Sequence, residues 1–153
     1  ALALDRNLGV MTHLPRPPQS PLLEKSDLRF VLLVGGFSAL VGLALLGLVP
    51  RLGFDFETTR TVLFHFLAIK QLFLTYPSRH TCTRPLANPI LVWVVLLGIA
   101  LQLLVGLLPT TARALGAVVL PLELWGVVIV ASLLVWSLAE AVNRLIWRVH
   151  PAA

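Results

Sequence analysis

The sequence predicts an all-α membrane protein, a bundle of four transmembrane helices with both termini on the cytoplasmic side. Three observations carry that expectation. Of 153 residues, 58% are hydrophobic and only 12% charged, where soluble domains carry about 25% charged residues. The apolar residues come in blocks: Phe30 to Val49 and Pro89 to Leu108 contain no charge, and each is about 20 residues, enough to cross roughly 30 Å of hydrocarbon as a helix. Lys and Arg are unevenly shared between the two sides of these blocks, and cytoplasmic flanks are the ones rich in positive charge.

The elements follow in order. Residues 1–28 form a polar, Pro-rich lead, with Pro15, Pro17, Pro18 and Pro21 excluding a helix interior and favouring an extended segment on the membrane surface. Residues 29–150 form the four-span domain, with spans near 29–49, 59–76, 89–108 and 123–147. Ser26-Asp27 offers an N-cap for the first span. Within it, Gly35 and Ala39, and Ser38 and Gly42, are small residues four apart that let another helix approach closely. Pro50 to Thr59 reads as a short outer loop. The second span is interrupted by Lys70 and ends at Tyr76-Pro77, because proline disfavours helix in the residue before it. Asn88-Pro89 starts the third span with a cap and a proline at the first helical position, and Pro109 closes it. Thr110 to Leu122 is a mixed loop at the outer interface or tucked against the spans. Trp125 opens the fourth span as an interfacial anchor.

The charge pattern sets the orientation. Arg6, Arg16, Lys25 and Arg29 precede the first span, Arg79 and Arg84 lie between the second and third, and Arg144 and Arg148 close the chain, eight on one side. The other side has Arg51, Arg60 and Arg113. The eight mark the cytoplasm, and the membrane expected is a bacterial plasma membrane. In a membrane protein the net charge of +5 does not point to nucleic acid; the lipid bilayer is the expected surround. The single Cys82 falls in the cytoplasmic loop, where it makes no internal disulfide and suggests no redox role. No cleavable signal peptide is visible. The chain starts with Ala and reads as a fragment of something longer.

A few polar residues stand in the apolar runs. Lys70-Gln71 lies within Thr61 to Leu74, and an intramembrane ionisable residue is a functional suspect by default. Two roles are open to Lys70: a fixed cation near an ion path, or a side chain that snorkels toward water over the six residues, about 9 Å, to Tyr76. Two are open to Gln71: an oxygen ligand for a cation, or an amide bonding across helices. His65 is either packed and hydrogen-bonded or a ligand or proton carrier, and it does not share a helix face with Gln71. Gln102 is interhelical glue or a ligand. Glu140 and Arg144 are four apart and can pair on one helix face, with Asn143 in the same polar cluster. The Pro-rich lead packs as a linker or binds an SH3-like partner.

An ordered set of short motifs then resembles one family. Ala1-Leu2-Ala3-Leu4-Asp5, followed by Arg16-Pro17-Pro18 and Pro21-Leu22-Leu23, looks like the link after the sixth membrane helix of cation-transporting P-type ATPases, typically "PALAL" and then "RPP..PLL". Gln71-Leu72-Phe73 resembles the "QLF" of their eighth helix. Asn88-Pro89, Gln102-Leu103-Leu104 and Pro109 resemble the ninth. Pro121-Leu122-Glu123-Leu124-Trp125 resembles the opening of the tenth, and Glu140 falls where that helix often carries a Glu. The resemblance covers essentially the whole chain. It departs where the family often has an Asn shortly after "QLF" and an Arg-Ser beyond: here the run is Leu74-Thr75-Tyr76-Pro77-Ser78-Arg79, and Lys70 replaces a usually neutral residue.

The resemblance implies the C-terminal membrane support domain, helices seven to ten, of a cation pump for calcium or another metal cation. Its partners are the preceding membrane helices, the cytoplasmic domains of the parent and the transported cation. In calcium pumps that carry two ions the position matching Gln71 is an acidic ligand, and Gln is common in relatives thought to carry one. By resemblance, Gln71 weakens or abolishes a second cation site. ATP and Mg belong to the parent, since this sequence holds no Asp-Lys-Thr-Gly-Thr phosphorylation motif and no Gly-rich phosphate loop. On its own the chain has no means to hydrolyse ATP. Two other readings stay open: a stand-alone, non-enzymatic four-helix membrane protein that binds a partner, and a small independent transporter, for which spans one and three offer little polar lining beyond Ser38 and Gln102.

Overall fold

A computed structural model describes residues 25–77 and 89–149, with side chains through residue 145. It holds five helices in this part of the chain: α1 Lys25–Arg51, α2 Phe56–Leu74, α3 Pro89–Leu107, the short α4 Pro109–Ala114, and α5 Leu122–Val149. There is no strand among the described residues. Helices suit these sequences because a segment in hydrocarbon must satisfy every backbone N–H and C=O within itself.

Several ends differ from the sequence expectation. Ser26 and Asp27 do not cap α1 from outside; they lie in its first turn, where a negative charge suits the positive end of the helix dipole. Pro50 does not open the loop, and α1 runs through it to Arg51. The helix then closes on Leu52 N–H to Leu48 O at 3.1 Å and Gly53 N–H to Pro50 O at 3.0 Å. Gly53 has φ +91°, a backbone conformation open to glycine at no steric cost. The loop therefore shrinks to residues 52–55. Asp55 caps α2 by accepting Thr58 N–H at 2.9 Å, so that helix starts before the expected Thr59. It stops at Leu74, ahead of Tyr76-Pro77. The proline-rich lead through Glu24, the loop with Arg79, Cys82 and Arg84, the Asn88 cap and the Arg148 side chain lie outside the described residues.

Pro109 ends α3 and also takes the first position of α4, a six-residue helix where only mixed loop was expected. From there residues 115–121 return to α5.

The packing places α2 at the centre. It lies against α1, α3 and α5, and α1 also lies against α5. The buried stripe of α1 is Val34, Ser38, Leu45 and Val49, at the three- and four-residue steps of one helix face. It meets Val62, Phe66 and Ile69 of α2 and Val128, Ala131, Val135 and Ala139 of α5 in one core. Gly42 sits on this face, where an added Cβ would rest 3.7 Å from Phe66. Of the two small-residue pairs in α1, Ser38 and Gly42 thus pack inside the bundle. Gly35, like Gly36 and Gly47, has open space beside it.

The outer faces are apolar: Leu32 is 65% exposed, Trp93 72% and Leu122 85%. In water so much apolar surface would be a liability; in a bilayer it faces acyl chains. α1, α3 and α5 are long and apolar enough to cross a membrane. The shorter α2 carries Glu57, Arg60 and Lys70, and it is the helix that α1, α3 and α5 all pack against. Polarity and central position belong together, since a polar group in a helix bundle finds partners on neighbouring helices and none in lipid.

Candidate functional site

Two polar groupings lie along α2. The outer one is built where α2, α3, α5 and the 115–121 return converge. Thr61 Oγ1 donates to Glu57 O at 2.9 Å and accepts Val118 N–H at 3.1 Å. Arg60 donates to Gly116 O, and Leu120 N–H donates to Gly106 O at 3.3 Å. The bonds to Val118, Gly116 and Leu120 each satisfy a backbone group of the return segment that would otherwise be unmet at the membrane edge.

One turn deeper, His65 is fully buried, and its Nδ1 lies 2.8 Å from Gln102 Oε1 of α3. A carbonyl oxygen accepts, so Nδ1 carries the hydrogen, and in the neutral ring Nε2 is left as an acceptor. The ring is tilted against Trp125 of α5 with centroids 4.8 Å apart and meets Phe64 edge-on at 5.3 Å. Trp125 is only 5% exposed, so it is a buried cover for His65 and not the interfacial anchor its position at the head of span four suggests. Gly106 makes this possible: an added Cβ would stand 3.0 Å from His65 Nε2 and run into the Trp125 ring. His65 Nε2 and Trp125 Nε1 have no hydrogen-bond partner among the described residues, and neither has Ser132 Oγ on α5.

The inner grouping is Lys70 and Gln71. The Lys70 ammonium does not run toward Tyr76. It crosses to α1, donates to Ser38 Oγ and lies over the Phe66 ring, 5.4 Å from its centroid. Ser38 is 4% exposed. A hydroxyl acceptor and an aromatic face both suit a cation. Gln71 points the other way. It is exposed, and it continues a stripe of exposed residues at helical spacing, Arg60, Phe64, Leu67 and Gln71, along the side of α2 that the other described helices leave uncovered.

Near the end of α5, Arg144 Nε donates to Glu140 Oε1 at 2.9 Å, with Arg144 68% exposed. An exposed pair four residues apart contributes about 0.3–0.5 kcal/mol, the scale of a helix-end detail. Asn143 beside it is half-buried. Among the described residues no group of three His, Cys, Asp or Glu side chains could hold a metal ion.

The structure thus joins His65 to Gln102 and separates both from Lys70 and Gln71. Sequence reasoning missed Ser38 as the seat of Lys70, and it missed Phe66, Thr61, Gly106 and Trp125 as members of these groupings. For Ser38 a signal was present. It stands 13 positions before the end of α1 (51 − 38), and Lys70 stands 14 after the start of α2 (70 − 56). Two antiparallel helices joined by a short turn bring such positions to one depth. Compared with known families, residues 1–145 match the model described as "Cation transporting ATPase, C-terminus". No curated protein matches, and no solved structure matches.

Proposed function

The chain belongs to the family of cation-transporting ATPase C-termini, and from that premise we propose that it is the membrane support domain of an ATP-driven pump for calcium or another metal cation. It buttresses ion-binding helices that lie outside this chain. Both termini face the cytoplasm, on the side of the Arg-rich flanks, and the membrane is a bacterial plasma membrane. ATP and Mg act on the parent's cytoplasmic domains, and none of the groups described above takes part in that step.

One observation carries the reading: α2 is covered on its other sides yet leaves Gln71 exposed on a stripe where it follows the apolar Phe64 and Leu67. An amide facing hydrocarbon loses its hydrogen bonds at a cost of several kcal/mol, so this face suits another protein helix better than lipid. A Gln oxygen there can ligate a hard cation without supplying charge. Gln71 thereby serves as a neutral ligand at the edge of the ion site, and the charged ligands come from the helices it faces.

The test is the number of cations moved per ATP, with its cation dependence, in the full-length pump carrying Gln71→Glu. Ligand charge tunes affinity for hard cations over decades. The expected result is one more ion per ATP or a half-saturating concentration lower by on the order of tenfold. Unchanged stoichiometry and affinity would reduce Gln71 to a packing residue.

A further inference from the structure

We propose that Lys70 is a built-in positive charge of the transport path, which lowers the cationic charge the pump loads beside Gln71. The proposal rests on the reading of this chain as a pump domain and adds a residue that sets specificity.

The position of the ammonium excludes simple snorkelling. Ser38, its acceptor, lies eight residues after Phe30 in the uncharged run that ends at Val49, so the charge sits about 12 Å from the start of that run. That is near the middle of the span, and a snorkelling lysine would have turned to the nearer end of α2. The side chain spends its length reaching across to α1. An ammonium has three N–H donors; among the described residues Ser38 Oγ accepts one, and Phe66 offers a ring face.

Among the described residues no carboxylate sits at this depth to cancel the charge. Between Glu57 and the end of α2, throughout α3, and from Phe30 to Arg51 in α1 there is no Asp or Glu, and in α5 the acids are Glu123 at the head and Glu140, already engaged with Arg144. A charge left this bare at mid-membrane acts on its surroundings over a longer range than the same charge in water.

The nearest candidate ligand is its sequence neighbour. Successive helix residues diverge by about 100°, so a cation held by Gln71 and the Lys70 ammonium lie on the order of 12 Å apart. At an effective dielectric of about 20, repulsion over that distance weakens binding of a monovalent cation about tenfold, and of a divalent one about a hundredfold. Lys70 and Gln71 then act in the same direction. One withholds a negative ligand, the other supplies a positive charge, and both favour fewer loaded charges.

The experiment uses the full-length pump in vesicles, with Ca²⁺, Mg²⁺, Mn²⁺, Na⁺ and K⁺ offered one at a time. It compares wild type with Lys70→Met, Lys70→Gln, Lys70→Arg and Ser38→Ala. Charge moved per ATP and the cation concentration for half-maximal phosphoenzyme are read for each. The expected result is at least about tenfold tighter cation dependence, or one more charge per cycle, in Lys70→Met and Lys70→Gln, with Lys70→Arg close to wild type. Unchanged values in both neutral variants overturn the proposal. So does an equal shift in Ser38→Ala, which keeps the charge and removes only its seat, and so does loss of the assembled pump in both neutral variants, which would make Lys70 a strut between α1 and α2. A wild-type pump that forms no phosphoenzyme with any of the five cations is a different failure: it sinks the pump reading itself.

Discussion

At Gly106 the missing side chain is what lets three helices meet. The backbone of α3 comes close enough to α2 and α5 that a single methyl would press on both His65 Nε2 and the Trp125 ring. Neither neighbour can easily give way, since His65 is bonded to Gln102 and Trp125 is packed among buried residues. Overpacking of this kind costs typically about 1–3 kcal/mol. Gly106→Ala is therefore expected to lower the melting temperature of the protein in detergent by several degrees and to change Trp fluorescence, because Trp125 must move. A variant that melts and fluoresces like the wild type would show that the close approach does not exist. The His65–Gln102 bond itself is a smaller contribution, about 0.6 kcal/mol on average for membrane hydrogen bonds and up to about 1.7. Each of those two residues is conspicuous in the sequence as a polar group in an apolar run. Their partnership is not, because they are 37 positions apart and no periodicity within one helix reports how a neighbouring helix is rotated. Lys70 illustrates the same limit: its presence was legible, while its direction depended on a hydroxyl of another span.

The second helix is the element on which the rest depends, and its outer end is fastened by Asp55. That carboxylate caps the helix, and the hydrogen bonds it receives from the Thr58 side chain and backbone hold its pKa below the usual aspartate value. The sign follows from linkage. A carboxyl whose folded pKa is depressed contributes its full stabilisation above the unfolded value, about 3.9, and loses it as pH falls through the lower folded value. Amide exchange protection at Thr58 and Thr59 should therefore be constant from neutral pH down to about 4 and fall below that. Asp55→Ala should show the reduced protection at every pH. Protection in the wild type that persists through pH 2 would mean that the cap does not hold this end. An Asp three residues before Thr58 is a legible cap, but Pro50 read as the end of α1 stretches the expected loop from 50 to 59 and hides it. Proline is expected to break a helix, yet here it stands one residue before the end of α1 at Arg51, where its missing N–H forfeits a single bond, so the helix runs on and the loop starts two residues later than expected, at Leu52.

On the scale of the whole molecule, the uncharged blocks made the bundle legible, because length and polarity alone decide whether a segment can cross hydrocarbon. Which helix lies at the centre was not legible from hydropathy, which ranks α2 as the weakest span. Its charged and polar residues mark it as the central one only once α1, α3 and α5 are seen packed against it. The 115–121 return was hidden for a related reason: its backbone is satisfied by Arg60, Thr61 and Gly106, which are distant in sequence. On the proposed topology four crossings tie the two ends and the loop after α2 to a single side, the one richer in Lys and Arg, which the proposal places in the cytoplasm. Cys82, the one cysteine of the sequence, falls between α2 and α3 and so reports on it. In intact cells a membrane-impermeant maleimide should leave Cys82 unlabelled, and permeabilisation should expose it. In a Cys82→Ser background, Thr110→Cys, an exposed position at the start of α4, should be labelled in intact cells without permeabilisation. The opposite pattern at both sites would invert the topology and place Lys70 nearer the outer half of the membrane. Labelling of both positions from outside would rule out the single crossing by α3 that separates them.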